Sequence, residues 1–197
     1  MCASAPPPAG LDPSVCQRCA SRGHTCCRLA PGEEEVCFPL SEMERDRILD
    51  QSHDKGAFVQ EANSAPFRDN LFRLFPRERE LLEQLFPENK THLRLATRPD
   101  GACVFVGPQG CSLPREARPY YCLLFPFWLL DDRMTTFTPD GCLAVAESRT
   151  LSQMLRLIGM TEAEVRLLHG RLRLAWGLPP KEGLPLLTQS FRRYTKS

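Results

Sequence analysis

The stretch Cys16-Gln-Arg-Cys19-Ala-Ser-Arg-Gly-His-Thr-Cys26-Cys27 places four thiols within twelve residues. Thiolates are soft ligands that bind zinc, or iron in iron–sulfur clusters, strongly. Two residues separate Cys16 from Cys19, and this spacing lets both sulfurs reach one metal from a tight turn. Cys26 and Cys27 differ, because neighbouring side chains of an extended chain point in opposite directions. We expect this pair to serve two sites, or to need a special local turn, or to place one thiol outside the ligand shell.

Four further cysteines lie in the second half of the chain, on or beside predicted turns. Cys103 is predicted to lie on a short strand, and Cys111 follows on the next turn. Cys122 comes after a proline bend, and Cys142 directly follows a Pro-Asp-Gly turn. A hairpin followed by a turn can bring such sulfurs together, and backbone N–H groups of turns can donate to thiolate sulfur.

A disulfide framework is the alternative interpretation of ten cysteines. Disulfides require an oxidising compartment. A secretory leader has a charged region, an apolar region and a cleavage site, and we do not find this pattern at the N-terminus. Residues 1–14 are instead rich in proline and are predicted to form a disordered tail. The chain has no run of 18 apolar residues, so no membrane helix is expected. We therefore expect a cytoplasmic protein whose reduced thiols bind metal.

The charge balance excludes one large class of partner. The 197 residues carry a net charge of +1, with 25 basic and 24 acidic side chains. A nucleic-acid-binding protein usually shows a basic excess or stripe, so no nucleic-acid partner is expected. The 18 prolines predict short elements joined by many loops. In such a chain, metal binding can supply folding free energy that a sparse core does not.

The predicted fold is a small, irregular, cysteine-rich α+β domain with short β-hairpins and peripheral helices. Residues 1–14 are predicted to be the tail and residues 15–145 the cysteine-cluster metal-binding domain. Residues 146–197 are predicted to form a helical extension packed on the same domain.

Capping boxes and turn signals place the predicted elements. Ser41-x-x-Glu44 and Thr161-x-x-Glu164 each predict the start of a helix, one running to about residue 51 and the other to about residue 176. Helical patterns also cover residues 66–75, 77–86 and 144–158. Alternating patterns around turns predict two hairpins, one from strands at 92–97 and 102–106 and one from strands at 127–130 and 134–138.

The distributed cysteine pattern resembles a known family. The pattern is Cys-x2-Cys…Cys-Cys, then Cys103-x-Phe and Gly-Cys111, then Arg118-Pro-x2-Cys122-x2-Phe-Pro. It resembles the bacterial YkgJ-like cysteine-cluster family, a zinc- or iron-chelating domain related to a cysteine domain of flagellin lysine N-methylases. The chain departs from the family in its six residues between Cys19 and Cys26. It also has Leu123 where the family commonly has arginine.

The resemblance implies a metal-binding function and a ligand set. Eight thiols would suit two four-ligand centres, or one 4Fe–4S cluster plus one zinc ion. The cofactor is therefore expected to be an iron–sulfur cluster or zinc. The implied ligands are Cys16, Cys19, Cys26, Cys27, Cys103, Cys111, Cys122 and Cys142.

Other residues near the pattern have two interpretations each. Cys37 is expected to be a small buried hydrophobe rather than a ligand, and His24 to be a loop residue rather than a fourth ligand. Arg118 could bind a carboxylate or a substrate, or could donate to local carbonyl groups. Cys2 is expected to be spare. Three histidines are expected to lie at the surface or its boundary: His53, His92 and His169. Five aromatic residues are expected to shield the metal: Tyr120, Tyr121, Phe125, Phe127 and Trp128.

Three functional hypotheses follow from these residues. The first is a non-enzymatic module that binds a metal ion or cluster, with its protein partner left open. The second is an iron–sulfur enzyme related to flagellin lysine N-methylases, and the third is a metal chaperone or redox partner. No nucleophile elbow, phosphate-binding loop, dinucleotide-binding fingerprint or radical S-adenosylmethionine triplet is present to favour a particular reaction.

Overall fold

The computed structural model describes residues 15–22, 26–30, 33, 36–139 and 141–180. These residues form a mixed α+β structure with eight α-helices and three two-stranded antiparallel sheets. The helices are α1 (Val15–Ser21), α2 (Glu42–Ser52), α3 (Ala65–Leu74), α4 (Arg79–Leu85), α5 (Tyr120–Leu124), α6 (Leu143–Ala146), α7 (Leu151–Ile158) and α8 (Glu162–Ala175). The strands are β1 (Phe58–Ala62), β2 (Thr91–Leu95), β3 (Val106–Gly107), β4 (Gly110–Cys111), β5 (Phe127–Leu130) and β6 (Arg133–Thr136).

Both predicted capping boxes are confirmed. Ser41 Oγ accepts from the Glu44 N–H at 3.3 Å, and the Glu44 carboxylate accepts from the Ser41 N–H at 3.0 Å. Thr161 and Glu164 repeat the same exchange at the start of α8. Each box satisfies N–H groups that a helix start leaves without intrahelical partners, and this local chemistry explains why α2 and α8 begin where the sequence predicts.

The hairpin of β5 and β6 is also confirmed. Leu129 pairs with Met134 and Leu130 with Arg133 across a two-residue turn. The turn residues Asp131 and Asp132 have φ angles of 47° and 65°, and two consecutive positive φ angles match the right-handed twist of the paired strands.

The hairpin predicted from strands at 92–97 and 102–106 forms only beside its turn. There Thr97 bridges Cys103, and the Val104 N–H donates to the Ala96 carbonyl at 3.1 Å. The rest of the prediction is wrong, because β2 pairs with β1, so that Gln60 lies opposite Leu93, and β3 pairs locally with β4. Local alternation identified β2 as a strand, but partner choice depends on burial of both strands in three dimensions.

The helix predicted over residues 144–158 is divided into α6 and α7. Thr150 is extended and its side chain accepts from the Gln153 N–H at 3.2 Å, so a new helix begins there. The predicted end of the helix at Gly159 is confirmed, because Gly159 ends α7 in the left-handed conformation with φ of 72°.

One large hydrophobic cluster joins the beginning and the end of the described chain. Val15 of α1, Phe127 of β5 and Val165 of α8 all belong to it and are at most 4% exposed. A second, smaller cluster contains Ile48 of α2 and Phe105. The helices of residues 146–180 therefore share a core with the cysteine-bearing segments.

Two of the three histidines that were expected at the surface are buried, so that expectation is wrong for them. His92 is 4% exposed and stacks on Phe67, and His169 is 2% exposed and contacts Trp128 edge-on. His53 is exposed, as expected, at the end of α2. In the described part of the chain, no helix combines the length and apolar character that a membrane crossing requires.

Candidate metal centre

Helix α1 carries the first two predicted ligands. Cys16 and Cys19 lie on a helix rather than on the tight turn that their spacing suggested, and residues three apart share one side of a helix. Cys19 is 8% exposed, with its Sγ 4.0 Å from the Gly141 carbonyl oxygen, whereas Cys16 is exposed. Arg18 binds both carboxylate oxygens of Glu147 at 2.9 and 2.8 Å. These contacts bring α1 beside the segment that contains Cys142.

Backbone pairing brings the Cys26-Cys27 pair to the second half of the chain. The Cys103 N–H donates to the Cys27 carbonyl at 2.7 Å, and the Leu29 N–H donates to the Gly101 carbonyl at 3.0 Å. Gly101 has a φ of +77°, and a Cβ at this position would lie 1.9 Å from the Leu29 carbonyl oxygen. Only glycine permits this approach, which places Cys27 next to Cys103.

The Arg118 side chain lies between two of the cysteine-bearing segments. Its Nε donates to the Leu113 carbonyl at 3.0 Å and its terminal nitrogen to the Cys111 carbonyl at 3.4 Å. Its positive charge acts to lower the pKa of the Cys16 and Cys111 thiols, against burial, which is the larger effect and raises both. Of its two predicted roles, Arg118 therefore takes the one that satisfies local carbonyls.

Cys122 lies on α5, which begins directly after Pro119. Burial raises the pKa of the Cys122 thiol well above its usual range, and Cys27, Cys103 and Cys111 raise it further. Cys122 is nevertheless an exposed residue, as are Cys16 and Cys26.

The predicted thiols act electrostatically on one another. The pKa of Cys16 is raised by burial and then by Cys27, Cys19 and Cys142. A hydrogen bond with Cys27 and then burial raise the pKa of Cys26, with further contributions from Cys27, Cys16 and Cys142. Such mutual effects require the sulfurs to be near neighbours. We call these eight residues the thiol cluster: Cys16, Cys19, Cys26, Cys27, Cys103, Cys111, Cys122 and Cys142.

Cys27 has neighbours in both halves of the cluster. It raises the pKa of Cys16 and Cys26 on one side. It also raises the pKa of Cys103, which burial raises to about 11, and of Cys111. Segments with 75 residues between them in the sequence, from Cys27 to Cys103, therefore meet at this residue.

The thiol cluster is not an assembled coordination shell. In the described ranges, no three or more cysteine, histidine, aspartate or glutamate side chains form an arrangement that could hold a metal ion. The nine described cysteines also contain no disulfide bond. The donor chemistry fits a thiophilic metal, but binding would require thiols to rotate between their staggered side-chain positions.

Two residues that the sequence analysis did not assign to the site contribute to it. Cys37 raises the pKa of Cys103, after burial, Cys27 and Cys111, so its thiol lies near the cluster rather than only in a core. Glu44 was recognised as a helix cap, but it is buried and also acts on the Cys122 thiol. The stacking of Phe38, the neighbour of Cys37, on Tyr121 of α5 had no signal in the local sequence.

The predicted aromatic shield is divided between the cluster and the core. Tyr121 lies beside the thiols, because Cys122, Cys26 and Cys37 add to the burial that raises its pKa well above the usual value. Phe127 and Trp128 belong to the main hydrophobic core, where the Trp128 indole N–H donates to the Leu74 carbonyl. The predictions for Cys2 and His24 lie outside the described residues.

No model of a protein family, no curated protein and no solved structure matches this chain.

Proposed function

We propose that this protein binds metal through the thiolates of the cluster. The observation that carries the proposal is the meeting of six separate chain segments at neighbouring thiols, joined by the backbone pairing of Cys27 with Cys103. A purely structural role for these cysteines would need only isolated thiols packed in apolar surroundings. A grouping of thiols that raise each other's pKa is instead suited to a cation, which replaces the protons and removes the repulsion.

We further propose that the cluster divides into two centres. Cys16, Cys26 and Cys142 neighbour one another, and Cys19 neighbours Cys16. Cys103, Cys111 and Cys122 form the other neighbourhood, and Cys27 is near all three. The proposed ligand sets are Cys16, Cys19, Cys26 and Cys142 for the first centre and Cys27, Cys103, Cys111 and Cys122 for the second.

The adjacent pair then serves two sites. Cys26 belongs to the first proposed centre and Cys27 to the second, and the hydrogen bond between the two thiols places the two proposed centres side by side. Four thiolates for each centre match the ligand number of a structural zinc site and of an iron–sulfur cluster. We propose iron–sulfur as the occupant of at least one centre, because eight thiols exceed what one structural zinc needs and the Tyr121 ring, stacked on Phe38, lies beside Cys122 and Cys26.

The test is metal analysis of protein purified without oxygen and supplied with iron and sulfide, and separately with zinc. We expect two centres per chain, and one in each of the variants Cys16→Ser and Cys122→Ser. Cys2→Ser is the matched control and should retain both. A brown protein with iron matched by acid-labile sulfide would support the cluster.

Three outcomes contradict different parts of the proposal. Colourless protein that keeps tightly bound zinc and does not exchange it for iron would exclude the iron–sulfur assignment but retain metal binding. Protein that takes up neither metal would exclude the function itself. Cys16→Ser and Cys122→Ser variants that bind as much metal as the control would show that the assigned ligand sets are wrong.

A further inference from the structure

The Glu44 carboxylate connects helix α2 to the segment that carries Cys122. Glu44 is 2% exposed, and its two oxygens have different partners. Oε2 accepts from the Ser41 N–H at 3.0 Å and from the Ser41 hydroxyl at 2.8 Å, which completes the capping box of α2. Oε1 accepts from the backbone N–H of Tyr120 at 2.8 Å. A helix cap alone would use only Oε2.

The Tyr120 N–H is the first amide of α5 and needs a partner from elsewhere. The first amides of a helix have no intrahelical acceptor. The residue before α5 is Pro119, and no side chain from the cap position supplies a hydrogen bond. Glu44 therefore fulfils the capping role for α5 from a different helix, across 76 residues of sequence. Cys122 lies two positions further along α5, and the Glu44 charge reaches its thiol.

Arg47, one turn after Glu44 on α2, contacts the same segment. Its guanidinium donates to the Arg118 carbonyl at 2.8 Å and lies over the Tyr120 ring, 4.5 Å from the ring centroid. One side of α2 therefore holds the backbone both before and at the start of α5. This arrangement leaves the position of α5 dependent on α2.

We propose that Glu44 is the positioning residue of the second centre, which holds α5 so that the Cys122 thiol faces the cluster. The inference rests on the proposed metal-binding function. Glutamine cannot replace this carboxylate, because its single acceptor oxygen can serve Ser41 or Tyr120 but not both, and its amide nitrogen is a donor. Buried partners that orient a ligand in this way commonly affect metal affinity strongly.

The chain provides matched controls for Glu44→Gln. Glu164→Gln makes the same change in the other capping box, where Glu164 is exposed and only Thr161 is bound. Ser41→Ala removes the hydroxyl of the α2 cap but leaves the bond from Glu44 to Tyr120. Tyr120→Pro removes the N–H donor at the first helical position, where proline is well tolerated, together with the ring that Arg47 contacts. Tyr120→Ala removes the ring but keeps the N–H, so it is the control for Tyr120→Pro. These variants separate helix capping from positioning.

Two measurements are made on the full chain. The first is the rate at which iodoacetamide modifies Cys122 relative to Cys16 in metal-free protein, followed residue by residue by mass spectrometry. In Glu44→Gln and Tyr120→Pro we expect the ratio of the Cys122 rate to the Cys16 rate to rise about tenfold. This factor corresponds to the loss of one hydrogen bond to a charged group. The second is the zinc dissociation constant by chelator competition, which we expect to rise about tenfold in the same variants.

Ser41→Ala and Glu164→Gln should lower the melting temperature but leave the modification ratio and the zinc dissociation constant unchanged. If Glu44→Gln and Tyr120→Pro show the modification ratio and zinc affinity of these two controls, Glu44 is a helix cap only and the inference is wrong. Failure of the wild-type protein to bind zinc would remove the proposed function, while the modification ratio would still decide whether Glu44 positions Cys122.

Discussion

At the scale of single residues, the pKa of the buried Cys103 thiol and the pKa of the buried His92 imidazole shift in opposite directions. Burial raises the pKa of a thiol and lowers that of an imidazole, because in each case it disfavours the charged form. The pKa of Cys103 is raised to about 11, whereas that of His92 is lowered to about 4. Burial therefore favours the protonated form of the Cys103 thiol and the neutral form of His92.

The lowered pKa of His92 predicts an acid-sensitive fold. Burial lowers this pKa to about 4 from 6.5, with Glu61 opposing the shift and Arg94 adding to it. Between these values the unfolded chain binds a proton that the folded chain does not, so stability is complete above pH 6.5 and is lost as the pH falls toward 4. The loss should reach about 3 kcal/mol at pH 4, at about 1.4 kcal/mol per pH unit.

Denaturant unfolding between pH 4 and 7, at one fixed metal content, measures this loss. His92→Gln provides the comparison, since glutamine can still donate to the Asn63 side-chain oxygen that His92 contacts at 2.9 Å. The variant should be less stable at pH 7 but should lose less stability on acidification. Equal losses in the two proteins would show that His92 is not the group responsible.

At the scale of elements, the two halves of the thiol cluster meet because two loops pair along their backbones. The bridge between Arg28 and Ala102 and the bond between Cys103 and Cys27 make a short antiparallel contact. The sequence predicted the turn at residues 99–101 and the pairing across it, which the structure keeps at Thr97 and Cys103. Ala102 and Cys103 also pair with the first cysteine segment, and no local pattern indicated this second partner.

Gly101→Ala should disrupt this contact. The new Cβ would lie 1.9 Å from the Leu29 carbonyl oxygen, and the residue has a φ of +77°. We expect a loss of about 2 kcal/mol or more in the free energy of unfolding, from backbone strain and steric overlap together. Metal content should fall as well, because Cys27 and Cys103 would separate.

Gly159→Ala is the control for strain alone. Gly159 has a similar φ of 72° at the end of α7, so alanine there should cost stability without moving the cysteine segments. Metal analysis and denaturant unfolding of both variants distinguish the two effects. A Gly101→Ala protein with full metal content would contradict the importance of this loop pairing.

At the scale of the whole molecule, neither half of the chain holds a complete thiol neighbourhood or a complete core. Val15 and Cys19 of α1 belong to the same hydrophobic cluster as Phe127, Leu143 and Val165. Both proposed centres also combine cysteines from before residue 30 with cysteines after residue 100. Folding and metal binding should therefore be coupled over the full length of the chain.

A fragment of residues 1–95 tests this coupling. It contains Cys16, Cys19, Cys26 and Cys27 but lacks the strand and helix partners of α1. We expect little helix by circular dichroism and weak, substoichiometric zinc binding, with the full chain as the comparison. A folded fragment with a full equivalent of tightly bound zinc would identify an independent N-terminal metal module instead.

The sequence by itself determined the features that depend on neighbours within a few residues. The capping boxes at Ser41 and Thr161, the Asp131-Asp132 hairpin turn and the stop at Gly159 each act through local hydrogen bonds or allowed φ angles. The tertiary structure alone decided the pairing of β1 with β2, the burial of His92 and the second role of Glu44. Each of these depends on which distant segments share the core, because burial and hydrogen-bond satisfaction are summed over the whole fold and carry no local sequence signal.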